Sequence, residues 1–90
     1  MEIRVESNLS ESELKNRGVY QWGVWEKEVS EFPWTYDAEE VCYLLEGEVE
    51  VTPDVGASVL IKAGDYVTFP AGMSCYWKIS SPLKKHFNFN

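Results

Sequence analysis

The chain reads as an all-β domain, a sandwich or a barrel, with one short helix near the N-terminus. Three observations carry that reading. Short segments alternate apolar and polar residues, as in Glu48-Val49-Glu50-Val51-Thr52, where the valines share one face. Turn-forming clusters punctuate them at Glu46-Gly47, Pro53-Asp54-Val55-Gly56, Ala63-Gly64-Asp65 and Pro70-Ala71-Gly72. Four Trp, five Tyr and four Phe in 90 residues supply the bulk that a small core needs, and aromatic side chains favour strands.

The elements follow in order. Met1 to Glu6 is a strand by the alternation of Ile3 and Val5. Ser10-Glu11-Ser12-Glu13 is a capping box: the Ser10 hydroxyl accepts from the Glu13 backbone, whose side chain reaches back. The helix runs toward Arg17, and Gly18 ends it. Trp22 to Phe32 is a strand that Pro33 bends or sets along an edge. Trp34–Tyr36 and Glu40–Leu45 are short strands, and Glu46-Gly47 is a hairpin turn into Glu48–Thr52. Ser58–Lys62, Tyr66–Phe69, Met73–Ile79 and Leu83–Phe89 complete the set, with Ser80-Ser81-Pro82 joining the last two.

Residues 1–90 form one domain, too short for a second. The net charge of −7 argues against nucleic acid and anionic membrane as partners, since both require a basic face. No apolar run approaches the ~20 residues that span a bilayer. The acidic start lacks the basic-then-apolar order of a signal peptide, and a transit peptide removed upstream stays open. Two cysteines make no disulfide framework, so reduced thiols in a soluble intracellular protein, cytoplasmic or organellar, are expected.

Two spaced motifs narrow the fold. Glu40 precedes Gly47 in Glu40-Val-Cys-Tyr-Leu-Leu-Glu-Gly47, and Gly64-Asp65 leads through Pro70-x-Gly72 to Cys75. Together they resemble the two motifs of the cupin superfamily, the first at about residues 34–51 and the second at about 64–79. The resemblance implies a double-stranded β-helix, the cupin jelly-roll barrel. It also implies metal-binding histidines, and this chain has none at those places. Trp34 and Tyr36 (or Pro33 and Thr35) stand at the first pair, Cys75 replaces the second-motif histidine, and Ile79 replaces the asparagine. Gly47, Gly64, Pro70 and Gly72 are the turn-making positions that match. Trp34-Thr-Tyr36-Asp37 and Cys75-Tyr-Trp77 are similar to small single-domain cupins of the DUF861 type, related to the cupin domain of ureidoglycine aminohydrolase. That likeness implies fold and pocket; the aminohydrolase binds manganese through ligands this chain mostly lacks.

Strand parity outlines an interior. If Glu40 points inward, so do Cys42 and Leu44, with Trp34 and Tyr36 in phase if no bulge intervenes. If Cys75 points inward, so do Met73, Trp77 and Ile79. The expected pocket is lined by Trp34, Cys42, Leu44, Met73 and Trp77, with Glu40, Cys75 and Tyr36 as candidate catalytic groups. Glu40 is either a functional carboxylate or one satisfied by Tyr36, a backbone N–H or water. Glu40 and Cys75, with Cys42, could hold Mn, Fe or Zn, but packed thiols without metal are the commoner case. In the last strand, parity groups Leu83, Lys85, Phe87 and Phe89 against Lys84, His86 and Asn88, and His86 is expected outside the barrel.

Three functions compete. The leading one is a small-molecule-binding cupin with a degenerate metal site, its ligand neutral or cationic because no internal Lys or Arg can be placed. The second is a metal-dependent enzyme of the ureidoglycine-aminohydrolase class. The third is a structural or partner-binding domain whose barrel is filled. Trp22 and Trp25, beside the acidic stretch Glu26–Glu31, offer a patch for homodimerisation.

Overall fold

A computed structural model describes residues 1–90. The strands are β1 (Arg4–Ser7), β2 (Gly23–Lys27), β3 (Ser30–Thr35), β4 (Glu40–Pro53), β5 (Val59–Lys62), β6 (Asp65–Phe69) and β7 (Ser74–Phe89). One helix, α1 (Glu11–Asn16), follows β1. All strand pairs are antiparallel.

Two long strands organise the barrel. β4 and β7 pair with each other along most of their length. On its other side β4 pairs first with β6, over Glu40–Tyr43, and then with β5, over Glu48–Val51. β7 does the same in reverse, pairing with β3 over Ser74–Ile79 and with β2 over Leu83–Phe87. Each long strand therefore passes from one sheet half to the other, and the jelly roll closes between them.

Both crossing points correct the sequence reading. Glu46-Gly47 is no hairpin turn; it lies inside β4, at register shifts against β7. Gly47 has φ +96°, and a Cβ there would collide with the Pro82 carbonyl oxygen. Only glycine permits that approach and that backbone conformation. Ser80-Ser81-Pro82 is likewise no loop but the middle of β7, where the outer partner changes from β3 to β2. Pro82 has no N–H to donate and falls in the gap between ladders. The Trp22–Phe32 segment divides into β2 and β3, with Pro33 inside β3, which pairs on one side only.

The helix cap forms as its sequence demands, with Ser10 Oγ accepting from Glu13 N at 3.2 Å. Glu13 does not reach back; its carboxylate binds Arg17 Nε at 2.8 Å. Gly18 follows with φ +77°, and a single 3₁₀ turn, Val19–Gln21, succeeds it. Leu14 and Val19 pack on Val41 and Tyr66, covering the outer face of the β4–β6 pair. Arg17 ties this cover down, binding Glu6 at 2.8 Å and lying 4.7 Å from the Tyr66 ring centre.

The main core lies between the sheet halves, around Cys42, Leu44, Val49, Ile61, Val67 and Phe69. Val49 and Val51 both face it, fully buried, as the alternation of their strand required. No helix is long and apolar enough to cross a membrane.

Candidate functional site

An open pocket of about 210 Å³ sits at one end of the barrel. β2 contributes Trp25, and β3 contributes Phe32 and Trp34, followed by Tyr36. Glu40 opens β4, and β7 supplies Trp77, Lys85, Phe87 and Phe89. Aromatic walls with a few polar groups are what a small-molecule site requires. Trp34, 47% exposed, forms the rim; Tyr36, Trp77 and Glu40 lie deep.

The polar centre is an ion pair. Lys85 Nζ donates to Glu40 Oε2 at 2.7 Å, with side chains 6% and 4% exposed. Lys85 is in register with Leu44, and its long stem runs along the interior to reach Glu40. The ammonium also lies 5.0 Å from the Trp25 ring centre and 4.9 Å from that of Trp77. Two tryptophan faces and a carboxylate together hold one cation in a dry site. The contact engages one of three ammonium protons and one carboxylate oxygen, so the pair can still offer a donor and an acceptor side by side.

Lys85 was missed in the sequence, and with it the sign of the site. The expectation of a pocket with a carboxylate and no cation is corrected: Lys85 neutralises Glu40. The signal was present, since parity put Lys85 on the face of Leu83, Phe87 and Phe89. Lysine is so rarely buried that parity alone does not place it inside. Trp25 is corrected too. It turns inward against Trp77 at 6.2 Å, and Trp22 packs on Tyr66 at 6.0 Å, so the two form no joint outer patch.

The structure brings Glu40, Tyr36, Trp34 and Trp77 to one pocket. Cys42, Leu44 and Met73 are not in its wall; they pack in the core behind it, because the aromatic rings cover them. Cys75 is also in the core, where its thiol donates to the Trp34 carbonyl oxygen at 3.6 Å. Both cysteines are free thiols. Burial pushes the Cys42 thiol up to about 12 and raises Cys75 as well. The Tyr36 phenol is raised by burial first and by the nearby Glu40 charge second. His86 lies on the opposite face of β7 from Lys85, edge-on to Tyr20 at 5.8 Å.

This donor set does not fit a metal centre. No three His, Cys, Asp or Glu side chains come together. Glu40 is matched to an ammonium, and its two thiol neighbours are held neutral by burial.

Barrel, motif spacing and pocket define a cupin domain. Residues 14–87 match the profile of the EutQ-like cupin domain family, and the chain belongs to that family. It is similar to a DUF861 family protein of Thermotoga maritima, with 48% identity and a TM-score of 0.94 over 99% of this chain and 100% of that one. It is also similar to ethanolamine utilization protein Q of Salmonella typhimurium LT2, with 29% identity and a TM-score of 0.65, covering 72% of this chain and 52% of that one. A third relative, "Acetate kinase EutQ" of Escherichia coli K12, is 36% identical over 67 residues. That match takes in 74% of this chain but only 26% of the E. coli protein.

Proposed function

We propose that this cupin domain binds a small, largely apolar, uncharged molecule in the aromatic pocket, with its polar end on the Glu40–Lys85 pair. One observation supports this above the others: a ring of large aromatic side chains leaves about 210 Å³ open above a buried ion pair. A domain selected only to be stable would fill that space, and a buried ion pair is weak as a stabilising device. The pair contributes no net charge, which favours neutral ligands over the cationic ones its carboxylate alone would attract.

The metal-dependent reading has less support. A cation at Glu40 would have to displace the Lys85 ammonium and would find no second anionic ligand beside it. The acetate kinase activity named for the E. coli relative belongs to a protein of which this chain spans 26%. Lys85 is also the sole cationic side chain in the pocket wall, a poor match to a phosphoryl group.

The test is ligand-observed NMR with a panel of neutral, anionic and cationic aromatic fragments, run against the native protein and Trp34→Ala. Neutral fragments should bind best, and Trp34→Ala, at an exposed rim position, should weaken them with little loss of stability. A panel in which metal ions bind tightly and fragments do not would remove this reading.

A further inference from the structure

Glu40 keeps one carboxylate oxygen free. Its Oε2 accepts from the Lys85 ammonium at 2.7 Å, while no donor of the chain reaches Oε1. That oxygen is not sealed in, unlike Tyr36 Oη and Trp77 Nε1, which are closed off from the pocket. Oε1 therefore opens on the cavity that Glu40 lines. The residue as a whole is only 3% exposed, and a carboxylate oxygen in so dry a place calls for a donor.

The fold holds this oxygen in place and supplies nothing to cover it. Glu40 is flanked on both sides, in register with Phe69 of β6 and Phe89 of β7. Beside it, the Glu39 carbonyl accepts from Asn90 N at 2.9 Å and the Glu39 carboxylate accepts from Asn90 Nδ2 at 2.7 Å, which fixes the start of β4. The Lys85 ammonium is kept on Oε2 by the Trp25 and Trp77 rings, 5.0 and 4.9 Å away. Tyr36 meets Glu40 only as a nearby charge, with no hydrogen bond between them. Phe32, Phe87 and Phe89, which share the wall, carry no side-chain donor.

We propose that Glu40 Oε1 takes a hydrogen bond from the pocket's ligand, and that the ligand class is a flat, uncharged ring compound with one N–H or O–H donor at its edge. A carboxylate can only accept, so the guest must donate, and an ether, ester or ketone brings nothing to this oxygen. Lys85 already balances the charge of Glu40, so the guest needs no charge of its own. A hydrogen bond onto a carboxylate is roughly twice as strong as one between neutral groups, so the donor decides which guests are held. The rest of the ring lies against Trp25, Phe32 and Trp34, whose aromatic faces suit a flat partner. This inference rests on the pocket reading above and adds to it the donor that the ligand's polar end carries.

Indole and benzofuran test it, since the two rings have nearly the same shape and differ by an N–H against an ether oxygen. Both are titrated into the ¹⁵N-labelled native protein, with the Trp25 and Trp34 side-chain N–H signals assigned through Trp25→Phe and Trp34→Phe. Both probes should move those two signals, which places them in the pocket. Indole should bind about fivefold more tightly, although benzofuran is the less polar probe and apolar burial alone would favour it. Glu40→Gln turns the site around: the amide oxygen faces Lys85 and the amide NH2 faces the guest, so the preference should vanish or reverse. If that variant does not fold, the two affinities on the native protein decide the matter alone. Benzofuran binding as tightly as indole, with the same signals moved, would overturn the donor requirement and leave the pocket reading standing. Binding of neither at millimolar concentration would overturn both.

Discussion

At the scale of single residues, Glu40 and Lys85 decide the chemistry. Each is buried, and each is tolerable only because of the other. Lys85→Met leaves an unpaired carboxylate in an aromatic site and should cost about 3–5 kcal/mol in urea unfolding. The double variant Glu40→Met/Lys85→Met removes both charges at similar volume. It should recover most of that loss and still bind neutral fragments poorly. If the double variant is as unstable as the single one, the pair is not the coupled unit described here. Glu40 was legible in the sequence from its place before Gly47. Its partner was not, because Lys85 lies 45 positions away and meets it only through the β4–β7 register.

At the scale of elements, the crossing of β4 and β7 is the part the sequence misread. A glycine with positive φ marks a hairpin turn and a bulge alike. What separates the two is a neighbouring strand, which a one-dimensional pattern does not contain. Gly47 and Gly64 show the difference in consequence. Both have left-handed φ, +96° and +95°, but a Cβ at Gly64 meets nothing, while at Gly47 it meets the backbone of Pro82 and Leu83. Gly64→Ala should therefore cost about 1–2 kcal/mol, the backbone term alone. Gly47→Ala should cost clearly more, about 3 kcal/mol or above, because β4 and β7 must part. Chemical denaturation of the two variants side by side checks the order, and equal losses would show that the crossing is slack. The helix, by contrast, was readable at both ends, because the Ser10 cap and Gly18 act locally; only the Glu13 carboxylate departs, going to Arg17 instead of back to Ser10.

At the scale of the whole molecule, buried acids that stay neutral tie stability to pH. Folding raises the Cys42 thiol from 9.0 to about 12, and raises Cys75 and Tyr36 in the same direction. Above the ordinary thiol range the unfolded chain loses protons that the folded barrel keeps. The stabilisation is thus fully present below pH 9 and is lost as pH rises from there toward 12. Cys42 contributes a slope of up to about 1.4 kcal/mol per pH unit in that window, and Cys75 and Tyr36 act in the same direction. Thermal melts from pH 7 to 11 should show a steep alkaline decline, and Cys42→Ala, although less stable at pH 7, should decline less steeply. An identical slope in the variant would mean that Cys42 ionises freely in the fold. The sequence by itself determined an all-β domain and a single N-capped helix, and its two motifs carried the resemblance to the cupin barrel. Alternation and turn chemistry, which are local, give the first two, and they give which residues share a face of a strand without saying which face is inward. Only the tertiary structure decided that Lys85 answers Glu40, that Trp25 turns inward, and that Cys42 and Met73 lie behind the pocket rather than in it. Those facts depend on register between strands distant in the chain, and on which of several inward side chains fills the centre and which stops short of it.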